Sequence, residues 1–193
     1  LSAITGLEID IYVEDDVAKA ILLAALPASV RARATFTVIG SATALARQLA
    51  ALYIRGEKKP VLAVFDGDQS VKENDNLDHA RRMAEKVKPD FDEWFKAHAV
   101  YLPGDTWPEA WLLQKATEAT NSLADLLGTE PNDLAEFIEY GLQAGKHNEF
   151  HEVAKHLGLE QPQCLQMFTV AIAQQCTAAF IPINKRVETI LAD

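Results

Sequence analysis

The period of the apolar positions changes part-way along the chain. Residues 7–13 are rich in β-branched and aromatic side chains and predict a strand. Ala18, Ile21, Leu22 and Leu26 then recur at helical spacing, predicting a helix over 17–26 that Pro27 ends. Residues 35–39 predict a second strand, and Gly40-Ser41 a turn, with Ser41 as N-cap of a helix over 42–53. Residues 61–65 are wholly apolar, as a central strand covered on both faces would be. A polar loop is expected over 69–78, a helix over 79–87 closed by Pro89, and a short helical turn over 92–97. A fourth strand over 98–102 stops at Pro103-Gly104. From there the pattern is helical: 108–119, 131–140, 149–157, 162–180 and 184–191, several of them opened by proline.

Alternation of strand and helix implies a parallel sheet with right-handed crossovers. The expected fold is therefore α/β: a parallel core of about four strands flanked by helices over 1–104, with a helical extension over 105–193 packed on it. There is no repeat, low-complexity tract or long linker between the two.

With 193 residues, 49 % apolar and 24 % charged, the composition suits one sizeable soluble domain. No apolar run reaches the roughly 20 residues of a membrane span. Cys164 and Cys176 are too few for a disulfide framework, so a reducing compartment, the cytoplasm, is expected. The opening Leu1-Ser2-Ala3 lacks Met, a basic region and an apolar core, which suggests a piece of a longer protein rather than a signal peptide. The net charge of −10 is uneven: residues 1–70 carry 7 basic and 8 acidic side chains, and the remainder carries 11 and 20. Such a domain repels nucleic acid as a whole. Contact with DNA would need a local basic patch, a metal or another domain; the alternative is that the acidity serves solubility.

In an open parallel sheet, ligands bind beyond the carboxyl ends of the strands. Glu14 follows the first strand, Asp66 and Asp68 the third, and Glu109 lies shortly after the fourth. Asp66 and Asp68 are two apart, so an extended backbone would point both the same way. Carboxylates gathered in this way repel one another unless a cation is present. Oxygen donors suit Mg²⁺ or Mn²⁺, and no Cys/His cluster has zinc spacing. Each acid taken alone also reads as a solvated loop residue.

An apolar strand ending in Glu (Ile11-Tyr12-Val13-Glu14) and a later one ending in Asp-x-Asp (Val64-Phe65-Asp66-Gly67-Asp68) resemble the TOPRIM domain of topoisomerases and primases. Within that group the chain is most similar to the C-terminal nuclease region of OLD-family (overcoming lysogenisation defect) enzymes. The supporting segments are Val13-Glu14-Asp15-Asp16-Val17-Ala18-Lys19, Tyr101-Leu102-Pro103-Gly104-Asp105 with Pro108-Glu109, and Lys146-His147-Asn148-Glu149-Phe150. Many TOPRIM proteins carry an acid where this chain has Ala18, and Asp15 and Asp16 are the nearer substitutes. There is no topoisomerase tyrosine context and no zinc-binding domain. There is also no phosphate-binding loop, so the family's ATPase would lie upstream of this chain.

The resemblance implies a Mg²⁺- or Mn²⁺-dependent endonuclease that hydrolyses DNA phosphodiester bonds with two ions. Glu14 would lie near both ions, Asp66 and Asp68 would complete one site, and Glu109 is the candidate for the second. Glu109 is equally a dipole-favoured acid at a helix start. Lys146 is the candidate for stabilising transition-state charge, with Lys155 as runner-up. His147 would assist proton transfer or cap the helix that follows. Arg81, Arg82, Lys86 and Lys88 are candidates for DNA phosphates; Lys58 and Lys59 lie at the wrong end of their strand. Trp94, Trp107 and Trp111 are either base-stacking or core residues. The apolar face of 162–180 is core or the interface of a homo-oligomer.

Two other families share parts of the pattern. Ile11-Tyr12-Val13-Glu14-Asp15-Asp16 resembles the start of a two-component receiver domain, which would be phosphorylated on Asp66. That family's later Met-Pro, Ser/Thr and Lys-Pro positions are absent. Asp66-Gly67-Asp68-Gln69-Ser70 resembles the haloacid-dehalogenase phosphatase motif, which normally follows the first strand rather than the third.

Overall fold

Strand β3 (Val61–Phe65) is buried at all five positions, because it lies inside the sheet and is covered on both faces. It pairs in parallel with β1 (Ile9–Val13) on one side, Ile11 facing Leu62 and Val13 facing Val64. On the other side it pairs in parallel with β4 (Ala99–Tyr101), and β2 (Ala34–Val38) lies outside β1. The order is β2-β1-β3-β4. The computed structural model describes residues 8–83 and 89–192.

The helices of the first half are α1 (Asp16–Ala25), α2 (Ala28–Arg31), α3 (Ala42–Arg55), α4 (Glu73–Met83) and α5 (Phe91–Ala97). Asp15 caps α1 by accepting the Ala18 N–H at 2.8 Å, and Ser41 caps α3 through Ala44 N–H at 3.2 Å. The second half is α6 (Pro108–Glu118), α7 (Thr120–Leu127), α8 (Pro131–Gln143), α9 (Glu149–Leu157), α10 (Gln161–Gln175) and α11 (Ile181–Ala192). Pro108, Pro131 and Pro162 each open a helix, where their missing N–H costs nothing.

Two cores sandwich the sheet. On one face Val61, Ala63 and Phe65 pack on Leu45 and Leu49 of α3, Leu77 and Ala80 of α4, and Phe91 and Phe95 of α5. On the other, Ile9, Ile11, Val13, Leu62 and Val64 join α1 and side chains from all six C-terminal helices. The helical region thus shares a core with the sheet. Arg186 of α11 also donates to the carbonyls of Lys96 and Ala97 at 2.6 and 2.7 Å, closing the carboxyl end of α5.

Several expected boundaries are corrected. Instead of a loop over 69–78, a 3₁₀ helix (Gly67–Lys72) runs into α4. Its first-turn acids Glu73 and Asp75 and last-turn Arg81 and Arg82 suit the helix dipole, and only Asn76, Leu77 and Ala80 are buried, so few apolar residues mark it. Part of the expected 79–87 helix lies outside the described residues. The expected helix over 162–180 stops at Cys176 and turns through a 3₁₀ segment (Thr177–Phe180) into α11, a bend of 84° that seats Phe180 against Trp111. The two cysteines therefore do not share one helix; both are free thiols. The short α2 and the polar-fronted α7 were not expected. No single helix among the described residues is long and apolar enough to cross a membrane.

Candidate functional site at the carboxyl edge of the sheet

From β1 the chain crosses to β2 on one side, and β3 then takes the other side of β1. The gap beyond the carboxyl ends of β1 and β3 is the point where the winding reverses, the usual crevice of such sheets. Glu14 and Asp66 are the first residues beyond these two strands. They meet directly: the Asp66 N–H donates to Glu14 Oε1 at 3.0 Å. Asp66 is 5 % exposed, and its Oδ1 is buried without a hydrogen-bond partner.

Asp68 reaches the same edge by a different route from the one its spacing suggests. Asp66 is the last extended residue, and Asp68 lies in the 3₁₀ turn that follows, so strand alternation does not align them. The Asp68 N–H donates to the Thr106 carbonyl at 3.1 Å, while its carboxylate accepts from Gln69 Nε2 at 3.0 Å and Lys146 Nζ at 3.4 Å. Gly67 lets the strands approach: a Cβ there would stand 2.8 Å from the Gly104 carbonyl oxygen and 2.9 Å from that of Thr106. The turn after β3 and the turn after β4 are therefore in backbone contact.

The second turn delivers Glu109, in the first turn of α6. It is 8 % exposed; Oε1 lies 3.0 Å from His147 Nδ1 and Oε2 is buried without a partner. His147 holds a φ of 69°, the one positive value at a non-glycine among the described residues. That left-handed backbone is uncommon for a side-chain-bearing residue. Lys146 beside it stands 5.2 Å from the centre of the Trp107 ring.

Burial pushes the Asp66 carboxyl up to about 8, and the nearby charges of Glu14, Asp15, Asp68 and Glu109 push in the same direction. Burial also raises Glu14, partly offset by the Asp66 amide; Asp68 and Asp15 raise it further, and Lys146 lowers it. The cluster thus holds more negative charge than its own hydrogen bonds satisfy. Oxygen donors, two orphaned buried oxygens and mutual repulsion together fit a hard divalent cation. Among the described residues, no three acidic, His or Cys side chains already converge as a metal cage. Glu14 is turned onto the Asp66 amide and Glu109 onto His147.

The other sequence candidates fall in different places. Asp15, an expected substitute for the acid missing at Ala18, is engaged as the α1 cap, and Asp16 is exposed. Lys155 pairs with Glu152 at 3.3 Å on α9 rather than with the cluster. Arg81 is held by Asp92 and by Asp78, the latter at 2.8 Å, so its charge is already answered within the protein. Arg82 is exposed on α4, and Lys86 and Lys88 lie outside the described residues. Lys59 pairs with Asp10 at 2.5 Å at the opposite, amino end of the sheet. Trp94 stacks on His98, and Trp111 is 4 % exposed against Phe180.

Glu149, 1 % exposed, is a residue that sequence reasoning missed; it accepts a hydrogen bond from Trp107 Nε1. The sequence shows it as part of the Lys146–Phe150 segment and as an acid at a helix start, which the helix dipole explains equally well, and neither marks it as the acceptor of an indole N–H. A cleft of about 630 Å³ lies between α8 and α9, lined by residues such as Tyr140, His151 and His156, and holds none of the four cluster carboxylates.

No protein-family model matches the chain, and no curated protein matches it significantly. Among solved structures it is similar to the C-terminal region of the Xanthomonas campestris pv. campestris OLD protein, with TM-score 0.53 and 12 % identity over 96 % of each chain. It is similar also to the C-terminal region of the Burkholderia pseudomallei OLD protein, with TM-score 0.53, 15 % identity and coverage of 96 % of this chain and 98 % of that one. At these identities the likeness is one of fold, and it spans nearly the whole of all three chains. The parallel sheet and the helical half packed upon it together have the fold of the C-terminal region of an OLD protein.

Proposed function

We propose that this chain is the nuclease region of an OLD-type, TOPRIM-containing enzyme, a Mg²⁺- or Mn²⁺-dependent endonuclease that hydrolyses DNA phosphodiester bonds. The observation that carries the reading is Asp66: a buried carboxyl with an orphaned oxygen, ringed by acids, at the topological switch point. Glu14, Asp66 and Asp68 would hold one ion, and Glu109 with Glu14 a second. When bound, the ions would activate the attacking water and neutralise charge on the phosphate and leaving oxygens.

The chain's own residues supply the rest. Without counter-charge the cluster repels a phosphodiester, so the acids themselves make DNA approach depend on the cation. Lys146, 45 % exposed and within 3.4 Å of Asp68, would face the phosphate and offset charge that grows in the transition state. His147 Nδ1 would orient Glu109 through their 3.0 Å contact. Residues 1–104 supply the sheet and three acids; residues 105–193 supply Glu109, His147 and Lys146. DNA, an upstream ATPase module and self-association in the full-length protein are the partners proposed, with the two free thiols favouring the cytoplasm.

The test is incubation with supercoiled plasmid in Mg²⁺, Mn²⁺ or EDTA, beside Glu14→Ala. Nicking that needs metal and is lost in the variant is expected. Equal cleavage by the variant, or cleavage in EDTA, would overturn the proposal.

A further inference from the structure

A flexible lysine is a poor catalytic group unless its ammonium is held, because its four-carbon stem samples many rotamers. The structure offers a holder. Trp107 is the N-cap residue of α6, two positions before Glu109, and its indole reaches across to the start of α9. There Nε1 donates to Glu149, which is 1 % exposed and fixed in the first turn of that helix. The ring beneath Lys146 is thus tethered at its polar edge, and the ammonium stands 5.2 Å from the ring centroid. On its other side the ammonium meets Asp68 at 3.4 Å. The indole also links the two segments that bring Glu109 and Lys146 to the cluster.

We propose that Trp107 is a positioning residue for Lys146, its ring face holding the ammonium beside the carboxylate cluster and Glu149 holding the ring. The catalytic consequence rests on the nuclease reading; the placement does not. A tryptophan face gives the strongest cation–π attraction among the aromatic side chains. Phenylalanine would keep a face but lose the Glu149 tether, and leucine would lose both. In Glu149→Gln the amide oxygen can still accept from Nε1, so the tether survives.

Two readouts test this on the whole chain. In ¹H–¹³C spectra of lysine-labelled protein, with Lys146 assigned by its loss in Lys146→Arg, the ε-CH₂ protons are expected upfield because the ammonium they adjoin stands over the ring. Trp107→Leu returns them to the free-lysine position, and Trp107→Phe leaves a smaller shift. In Mn²⁺-dependent DNA cleavage, Trp107→Leu lowers kcat roughly tenfold, the scale of a partly desolvated cation–π contact, with KM little changed. In a Lys146→Ala background the same substitution costs nothing further, which a merely structural role would not produce. Unshifted ε-CH₂ protons in the wild type would overturn the proposal, as would an equal kcat loss with and without Lys146. If the wild type does not cleave DNA, the nuclease reading fails, and the ring-current shift still decides the placement.

Discussion

Removing the charge of Asp66 should strengthen the metal-free fold while abolishing its response to metal. The unfolded carboxyl titrates near 3.8 and the folded one near 8. The folded state therefore keeps the proton longer than the unfolded state, and stability falls as pH rises between those two values. Taken in full, that difference is on the order of 5 kcal/mol by pH 8. Water entry and side-chain relaxation reduce it, leaving at least about 2 kcal/mol. Asp66→Asn keeps the shape and the backbone N–H bond to Glu14 but cannot ionise. Urea unfolding in EDTA at several pH values reads the result. The variant should gain on the wild type by at least about 2 kcal/mol between pH 4 and pH 8, a change of roughly 4–8 °C in Tm at this size. Saturating Mg²⁺ or Mn²⁺ should then raise the wild type at pH 8, by about 2.7 kcal/mol at a hundred times Kd, and leave the variant nearly unmoved. A stability difference between wild type and variant that stays constant across pH would show that Asp66 carries no strained charge and would overturn this expectation.

Other outcomes follow from the same structure. Gly67→Ala drives a Cβ into two backbone carbonyls that cannot rotate away, so it should cost about 1–3 kcal/mol in urea unfolding and reduce cleavage more than its stability loss explains. Phe65→Ala empties the centre of a core shared with Phe95 and Tyr101 and should cost about 3–5 kcal/mol, measured by the same unfolding experiment. Lys146→Ala should lower kcat for DNA cleavage roughly 10²- to 10³-fold while calorimetric Mn²⁺ affinity is not weakened. Beryllofluoride with Mg²⁺ should leave no adduct on Asp66 by mass spectrometry or fluorine NMR; a stoichiometric adduct would favour a phosphorylated signalling domain instead.

What the sequence made legible was whatever is written locally. All four strands and most helices could be read because their apolar periods are clean, as in the wholly apolar Val61–Phe65. The convergence of Glu14, Asp66 and Glu109 was readable too, since the parallel topology puts strand ends on one edge whatever the side-chain details. The start of α4 was hidden because its only burial is a thin stripe through a polar surface. The break at Cys176 was hidden because apolar residues continue through it; Pro182 and the seat for Phe180 settle the turn. Trp107 and Glu149 are 42 positions apart, and nothing local announces that an indole N–H needs a buried carboxylate. The pairing of Arg81 was equally unreadable, because a base already held by acids looks like a free one in a string of letters.

We propose that the carboxylates at the β1–β3 switch point hold a catalytic divalent cation. Anomalous diffraction from crystals grown with Mn²⁺ would locate that ion. A manganese peak bounded by Glu14, Asp66 and Asp68 is expected in the wild type, with the Glu14 carboxylate released from the Asp66 amide, and no such peak in Asp66→Asn. Manganese bound only elsewhere, or an undiminished peak in the variant, would contradict it.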